Sequence, residues 1–208
     1  KYWRNVALKR LERTLVLPMP GKQPLKNLFT GKLMKNKPGI KKLVVLFPIG
    51  GTVVFVGLYI IATFYYPGGS QHDPTSHGFS WAHNYWCNLL NEIAINGISN
   101  PARPFALAAM LVLCISLAIF WYQFPIITSL YKPLRLLMQI AGSLSMITGF
   151  FLFTSQHDFL VNIASLFGLI ATAITLFRMY QLKWTRLFRL GIFNAGLVLL
   201  NNILYYGN

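Results

Sequence analysis

Four histidines and three of the four carboxylates set the chemical possibilities of this chain. His72, Asp73, His77, His83 and Glu92 fall between two long apolar runs, and His157 with Asp158 sits in a short polar TSQHD stretch. A histidine beside a carboxylate can move protons near neutral pH, because imidazole titrates there and the carboxylate can orient it. His157 with Asp158 or Glu92, and with His83 opposite, is therefore a candidate acid/base site. No GxSxG elbow supplies a nucleophile, and adjacent residues such as His157 and Asp158 seldom face each other. Metal binding through histidine and carboxylate is a second chemistry. It lacks an HExxH or HxxxH pair, and His72, His77 and His83 are irregularly spaced in a Gly/Pro-rich stretch, so no metal is expected. A haem or pigment would need an axial ligand, for which only His157 lies next to a long apolar run. No cofactor follows from the residues. The leading reading is structural: Trp81, His83, Asn84, Tyr85, Asn88 and Arg103 close one end of a helical bundle as a polar cap, and Asp158 caps a helix N-terminus.

The elements that would position these groups are membrane spans. Of 208 residues, 55% are hydrophobic and 11% charged, with a mean hydropathy of +0.51; soluble domains carry about a quarter charged residues. Five runs reach the roughly 20 apolar residues a helix needs to cross the hydrocarbon core: about 43–66, 105–124, 134–154, 159–177 and 187–206. They are apolar around most of their circumference and lack the alternation of barrel strands. The predicted fold is an all-α polytopic transmembrane helical bundle. Pro48, Gly50 and Gly51 predict a kink or a late start in the first span. Gly142, Ser143, Ser145 and Gly149 in the third span, and Ser165, Gly168, Ala171 and Thr172 in the fourth, predict close helix approach. The absence of an intramembrane Lys, Arg or Glu and of an inverted repeat disfavours a coupled transporter.

Charge orients the bundle. Twelve of the 19 Lys and Arg lie in residues 1–42, two (Lys132, Arg135) between spans two and three, and four (Arg178, Lys183, Arg186, Arg189) between spans four and five. Five crossings with a cytoplasmic N-terminus place these eighteen inside, leaving Arg103 outside. The histidines, Asp73, Glu92 and Asp158 then fall outside, which is the envelope layout expected of a bacterial inner-membrane protein. Cys87 lies in a polar loop and Cys114 in an apolar run, so they suggest neither a disulfide framework nor a CxxC site.

Residues 1–42 form a basic amphipathic segment and tether. Trp3, Val6, Leu8, Leu11 and Leu15 interleave with Lys9, Arg10 and Arg13, a pattern suited to anionic headgroups or a partner. The basic charge of a chain this apolar points to membrane rather than nucleic acid. In the first outer loop, Trp81, Tyr85, Leu89 and Ile93 recur every four residues, with His83, Cys87 and Asn91 on another stripe. The spacing predicts an interfacial helix over 80–95 with Ser80 as N-cap.

FYYPGGS, FSWAHNYWCNLLNE and NPARP together resemble the first outer loop of bacterial multi-pass proteins of the domain of unknown function 998 family, which share a DRAM-like layout. The resemblance covers about residues 43–208 and implies about six spans, so a further C-terminal span is expected beyond Asn208. That family implies topology and a lipid-facing role, and no defined activity. The function expected is an accessory subunit of a membrane complex or a lipid-interacting scaffold, with membrane lipids and other membrane proteins as partners. The alternative is an enzyme acting on lipid at the outer leaflet through His157, Asp158, Glu92 and His83.

Overall fold

The computed structural model describes residues 42–154 and 156–206. Five α-helices follow one another: α1 (Lys42–Tyr65), α2 (Arg103–Ile127), α3 (Lys132–Phe150), α4 (His157–Gln181) and α5 (Thr185–Tyr206), with 3-10 turns at Trp86–Leu90 and Phe151–Phe153. Among the described residues the only β pairings are two isolated bridges, Gly68 to His77 and Ile93 to Ser99. Among the described residues, four stretches are long and apolar enough to cross a membrane: Leu46–Tyr65, Arg103–Ile127, Lys132–Phe153 and His157–Gln181. The protein is a multi-pass membrane protein with a helical transmembrane bundle. α5 has 22 residues, enough for about 33 Å, but its early turns carry Arg186 and Arg189 and its middle carries Asn194. The segment holding Lys9, Arg10 and Arg13 lies outside the described residues.

Each helix packs chiefly on its neighbours in sequence, and one glycine sits at each of the four contacts. A Cβ at Gly51 in α1 would meet Ser116 Oγ of α2 at 1.7 Å, one at Gly142 in α3 would meet Trp121 of α2 at 2.3 Å, one at Gly168 in α4 would meet Ser145 Oγ of α3 at 3.0 Å, and one at Gly191 in α5 would meet Leu176 of α4 at 2.4 Å. Small residues substitute for the hydrophobic effect, which offers little drive between helices already surrounded by lipid. Ser145 adds a hydrogen bond across α3 and α4 to the Ala164 carbonyl (2.8 Å), and Gln139 in α3 donates to the Tyr122 carbonyl of α2 (2.9 Å). Gly51 thus serves close approach, and α1 runs unbroken through Pro48 instead of starting late. Gly149 has no neighbour that a Cβ would meet.

The core divides between the two ends of the bundle. At the end carrying the long α1–α2 connection, Tyr59, Ala62, Tyr66, Leu89, Leu90, Ala94, Ala102 and Ala106 are buried together. At the other end, Leu130, Met138, Ala141, Ala171 and Ile174 form a second cluster backed by Trp121 and Phe124. There α2 and α4 stop in the same way. Ser129 (φ +54°) and Lys183 (φ +56°) adopt the left-handed conformation. Leu130 N–H returns to Pro125 O and Ser129 N–H to Ile126 O; Trp184 N–H returns to Met179 O and Lys183 N–H to Tyr180 O. Both are Schellman caps, in which glycine usually takes the left-handed position. Arg178, only 6% exposed, closes this end. Its Nε donates to the Thr128 carbonyl (3.1 Å), as does one terminal nitrogen, which also reaches Ser129 O (3.4 Å), while the other donates to Gln181 Oε1 (2.9 Å). A cation among terminal carbonyls answers the negative end of the α2 dipole.

Candidate functional site

The α1–α2 connection is a folded cap held by side-chain amides. Its first half reverses at Gly68 (φ +142°) and Gly69 (φ +82°). A Cβ at Gly69 would stand 2.4 Å from Asn96 N, so both backbone shape and space require glycine there. Gly69 N–H donates to Ser76 O (2.7 Å), and Gln71 N–H donates to His83 O (3.0 Å). Asn84 joins the two halves: its Oδ1 accepts from Ser80 N–H (2.8 Å), and its Nδ2 donates to Gly69 O (2.8 Å). Asn88 Oδ1 accepts from Tyr85 N–H (2.7 Å). Asn100 is the most connected, donating to the carbonyls of Asn88 (3.3 Å), Leu89 (3.2 Å) and Asn91 (2.9 Å) and accepting from Ala102 N–H (3.1 Å). Tyr66 Oη accepts from Ile95 N–H (3.1 Å), and burial pushes its phenol up while that hydrogen bond offsets part of the shift.

These bonds explain why the helix predicted over 80–95 contracts to the 3-10 turn Trp86–Leu90. Asparagine side chains offer the backbone partners that compete with helical ones, and here Asn84, Asn88 and Asn100 take groups a helix would use internally. The aromatic residues pack on one another and on α1. Trp86 lies against Tyr59 (5.1 Å between centroids), Phe55 (6.2 Å) and Trp81 (6.3 Å), and Phe79 bridges Trp81 to Tyr66.

The titratable groups are distributed rather than gathered. Glu92 is paired with Arg103 (2.6 Å), its side chain 74% exposed. His83 stacks on His72 at 5.1 Å. His157, the first residue of α4, sits with Nδ1 3.2 Å from Asp158 Oδ1, so the two neighbours do face each other. Asp158 lies in the first turn of α4, whose N-cap residue is Gln156 and has no side-chain cap bond. The helix dipole favours its charge there. Asp73 accepts from the Thr75 hydroxyl (2.7 Å) and N–H (2.9 Å), which holds its carboxyl below the usual range. Among the described residues no three His, Cys, Asp or Glu side chains form a metal-sized group.

One cleft of about 420 Å³ opens where this cap meets the α3–α4 turn. Gln71, Tyr85, Cys87, Asn88 and Asn91 line it from the cap, and Leu152, Phe153, Thr154 and His157 from the turn. Of the candidates, His157 and Asn88 come together here. His83, Asn84, Glu92, Asp158, Trp81 and Arg103 do not line it. Cys87 and Asn91, one stripe of the expected helix, do. Burial pushes the Cys87 thiol up against the hydrogen bonds that would lower it, leaving it protonated at neutral pH and poorly nucleophilic. Sequence reasoning missed Asn100 and Gln71; the NPARP motif held the first, and nothing local distinguished the second. No family model matches the chain, and neither a curated protein nor a solved structure does.

Proposed function

We propose that this protein is a non-enzymatic membrane scaffold that holds a lipid headgroup in the cleft between the α1–α2 cap and the α3–α4 turn. The supporting observation is the cleft itself. It lies at the end of four apolar helices, where headgroups reside, and combines amides, a hydroxyl and a histidine with an apolar floor at Leu152 and Phe153. A pocket that fixes orientation with a few polar groups amid apolar surface is the usual form of a small-ligand site. The enzymatic alternative needs a carboxylate and a nucleophile beside His157. Glu92 is engaged by Arg103, Asp158 meets His157 at 3.2 Å but is 86% exposed, and burial pushes the Cys87 thiol up, against formation of a thiolate nucleophile.

In this reading α5 is a fifth span, the N-terminus is cytoplasmic and the cleft faces the outer side of a bacterial inner membrane. Lys132, Arg135, Lys183, Arg186 and Arg189 then share the cytoplasmic end. The loop pattern marks kinship with the domain of unknown function 998 family, and the basic residues Lys9, Arg10 and Arg13 recruit anionic lipid or the partner subunit of a larger complex.

Native mass spectrometry after gentle-detergent purification tests the proposal. Wild-type protein should retain lipid, and Thr154→Trp, which fills the cleft, should lose it with thermal stability unchanged. Equal retention by both, or time-dependent lipid cleavage abolished by His157→Ala, overturns it.

A further inference from the structure

The charge around the cleft selects among headgroups. Residues 66–102 and 151–158 contain no lysine or arginine, while they supply Asp73, Glu92 and Asp158. Arg103, the nearest cation in sequence, is bound to Glu92 at 2.6 Å. A phosphate headgroup is normally gripped by arginine, lysine or a helix N-terminus. At the helix N-terminus that reaches the cleft, that of α4, Asp158 already occupies the first turn. The cleft lining holds no lysine or arginine to grip an anionic headgroup, and its one histidine, His157, already has Asp158 beside it at 3.2 Å.

The groups that do line the cleft suit a different chemistry. Gln71 and Asn91 bring carboxamides to the cleft lining, and Asn88 commits its Oδ1 to Tyr85 N–H. A carboxamide presents a carbonyl acceptor and an NH₂ donor side by side, which matches two neighbouring hydroxyls, each both donor and acceptor. Thr154 adds a hydroxyl oxygen as acceptor, its proton being donated to the Phe151 carbonyl (2.9 Å). Tyr85 and Phe153 supply ring surface for the C–H faces of a sugar, an amphipathic contact that needs no charge. We infer that the cleft takes a neutral, hydroxyl-rich glycosyl group, presented as the headgroup of a glycolipid, in preference to an anionic phospholipid. This rests on the lipid-scaffold reading and sharpens its ligand.

The test uses the full chain, purified in a detergent without a sugar headgroup and placed in phosphatidylcholine nanodiscs doped with diglucosyl diacylglycerol, phosphatidylglycerol or phosphatidylethanolamine. Lipid retained by the protein is read by native mass spectrometry. The glucosyl lipid should be enriched about tenfold over phosphatidylglycerol, as expected for two or so hydrogen bonds gained without a charge penalty. The Asn91→Leu, Gln71→Leu double variant should remove most of that preference while Thr154→Trp removes binding. Added free maltose that displaces the glucosyl lipid would show the sugar alone is recognised; no displacement would show that the acyl chains are needed as well, and either supports a glycosyl site. Preferential, Thr154-dependent retention of phosphatidylglycerol or phosphatidylethanolamine overturns the headgroup assignment and leaves the scaffold reading standing. Retention that no cleft variant changes overturns both.

Discussion

The two ends of this bundle solve the problem of terminating helices in opposite ways. At the turn end, α2 and α4 close with Schellman caps on Ser129 and Lys183, and one cation, Arg178, gathers the carbonyls of Thr128 and Ser129 over a cluster containing Met138, Ala171 and Ile174. At the loop end, α1 and α2 are joined by a cap whose neutral amides bind backbone, and polar residues of that cap line a cleft with the α3–α4 turn. One end turns a cation onto its helix-terminal carbonyls; the other brings polar groups and the rings of Tyr85 and Phe153 to one cleft, the combination a small-ligand site requires.

Removing Arg178 should have the largest effect. Arg178→Ala strands carbonyls buried at the end of α2 and should cost about 3 kcal/mol, lowering Tm in detergent by roughly 5–10 °C with lipid retention unchanged. A loss of lipid without a loss of stability would break the division between the ends. Asn100→Ala should cost about 2 kcal/mol by freeing three carbonyls, and unlike the first it should also reduce lipid retention, because Asn100 holds the backbone of Asn88 and Asn91. Replacing Lys183 with glycine tests the caps in the other direction: relief of the left-handed backbone should stabilise by about 1 kcal/mol, seen as a raised Tm. Glu92→Gln should change stability by less than about 1 kcal/mol, as surface ion pairs do.

The smallest effect concerns acid. Thr75 lowers the folded pKa of Asp73, so the stabilisation is present above the unfolded value and is lost as pH falls below about 4 and on through the folded pKa. Asp73→Asn should flatten acid denaturation of the loop end in that window, as followed by tryptophan fluorescence from Trp81 and Trp86, and leave neutral behaviour as it was.

The long apolar runs made the helices legible, because a membrane span is written in composition over 20 residues and survives any local detail. Asn84 and Asn88 stood out for the same reason in reverse: polar amides beside tryptophans are conspicuous in so apolar a chain. The conformation of 80–95 was not legible. A four-residue recurrence of Trp81, Tyr85, Leu89 and Ile93 signals a helix only when the backbone has no better partner, and Asn100, distant in sequence, is such a partner. Arg178 counted as one positive charge among eighteen, although it is buried; its role depends on where α2 ends, some fifty residues earlier. Gln71 reaches the cleft through the reversal at Gly68 and Gly69, which no periodicity encodes.

The single glycine at every helix contact has a consequence for biogenesis. Because each helix nests on the one before it, contacts are made between segments that leave the ribosome in succession, and α2 can dock on α1 through Gly51 before α4 has been synthesised. Assembly of this order is local at each stage and holds little apolar groove open in wait for a distant segment. A bulky residue at Gly51 would then stall insertion early, whereas one at Gly191 would leave a four-helix body already built, so the position of a defect along the chain would set how much of the protein survives it.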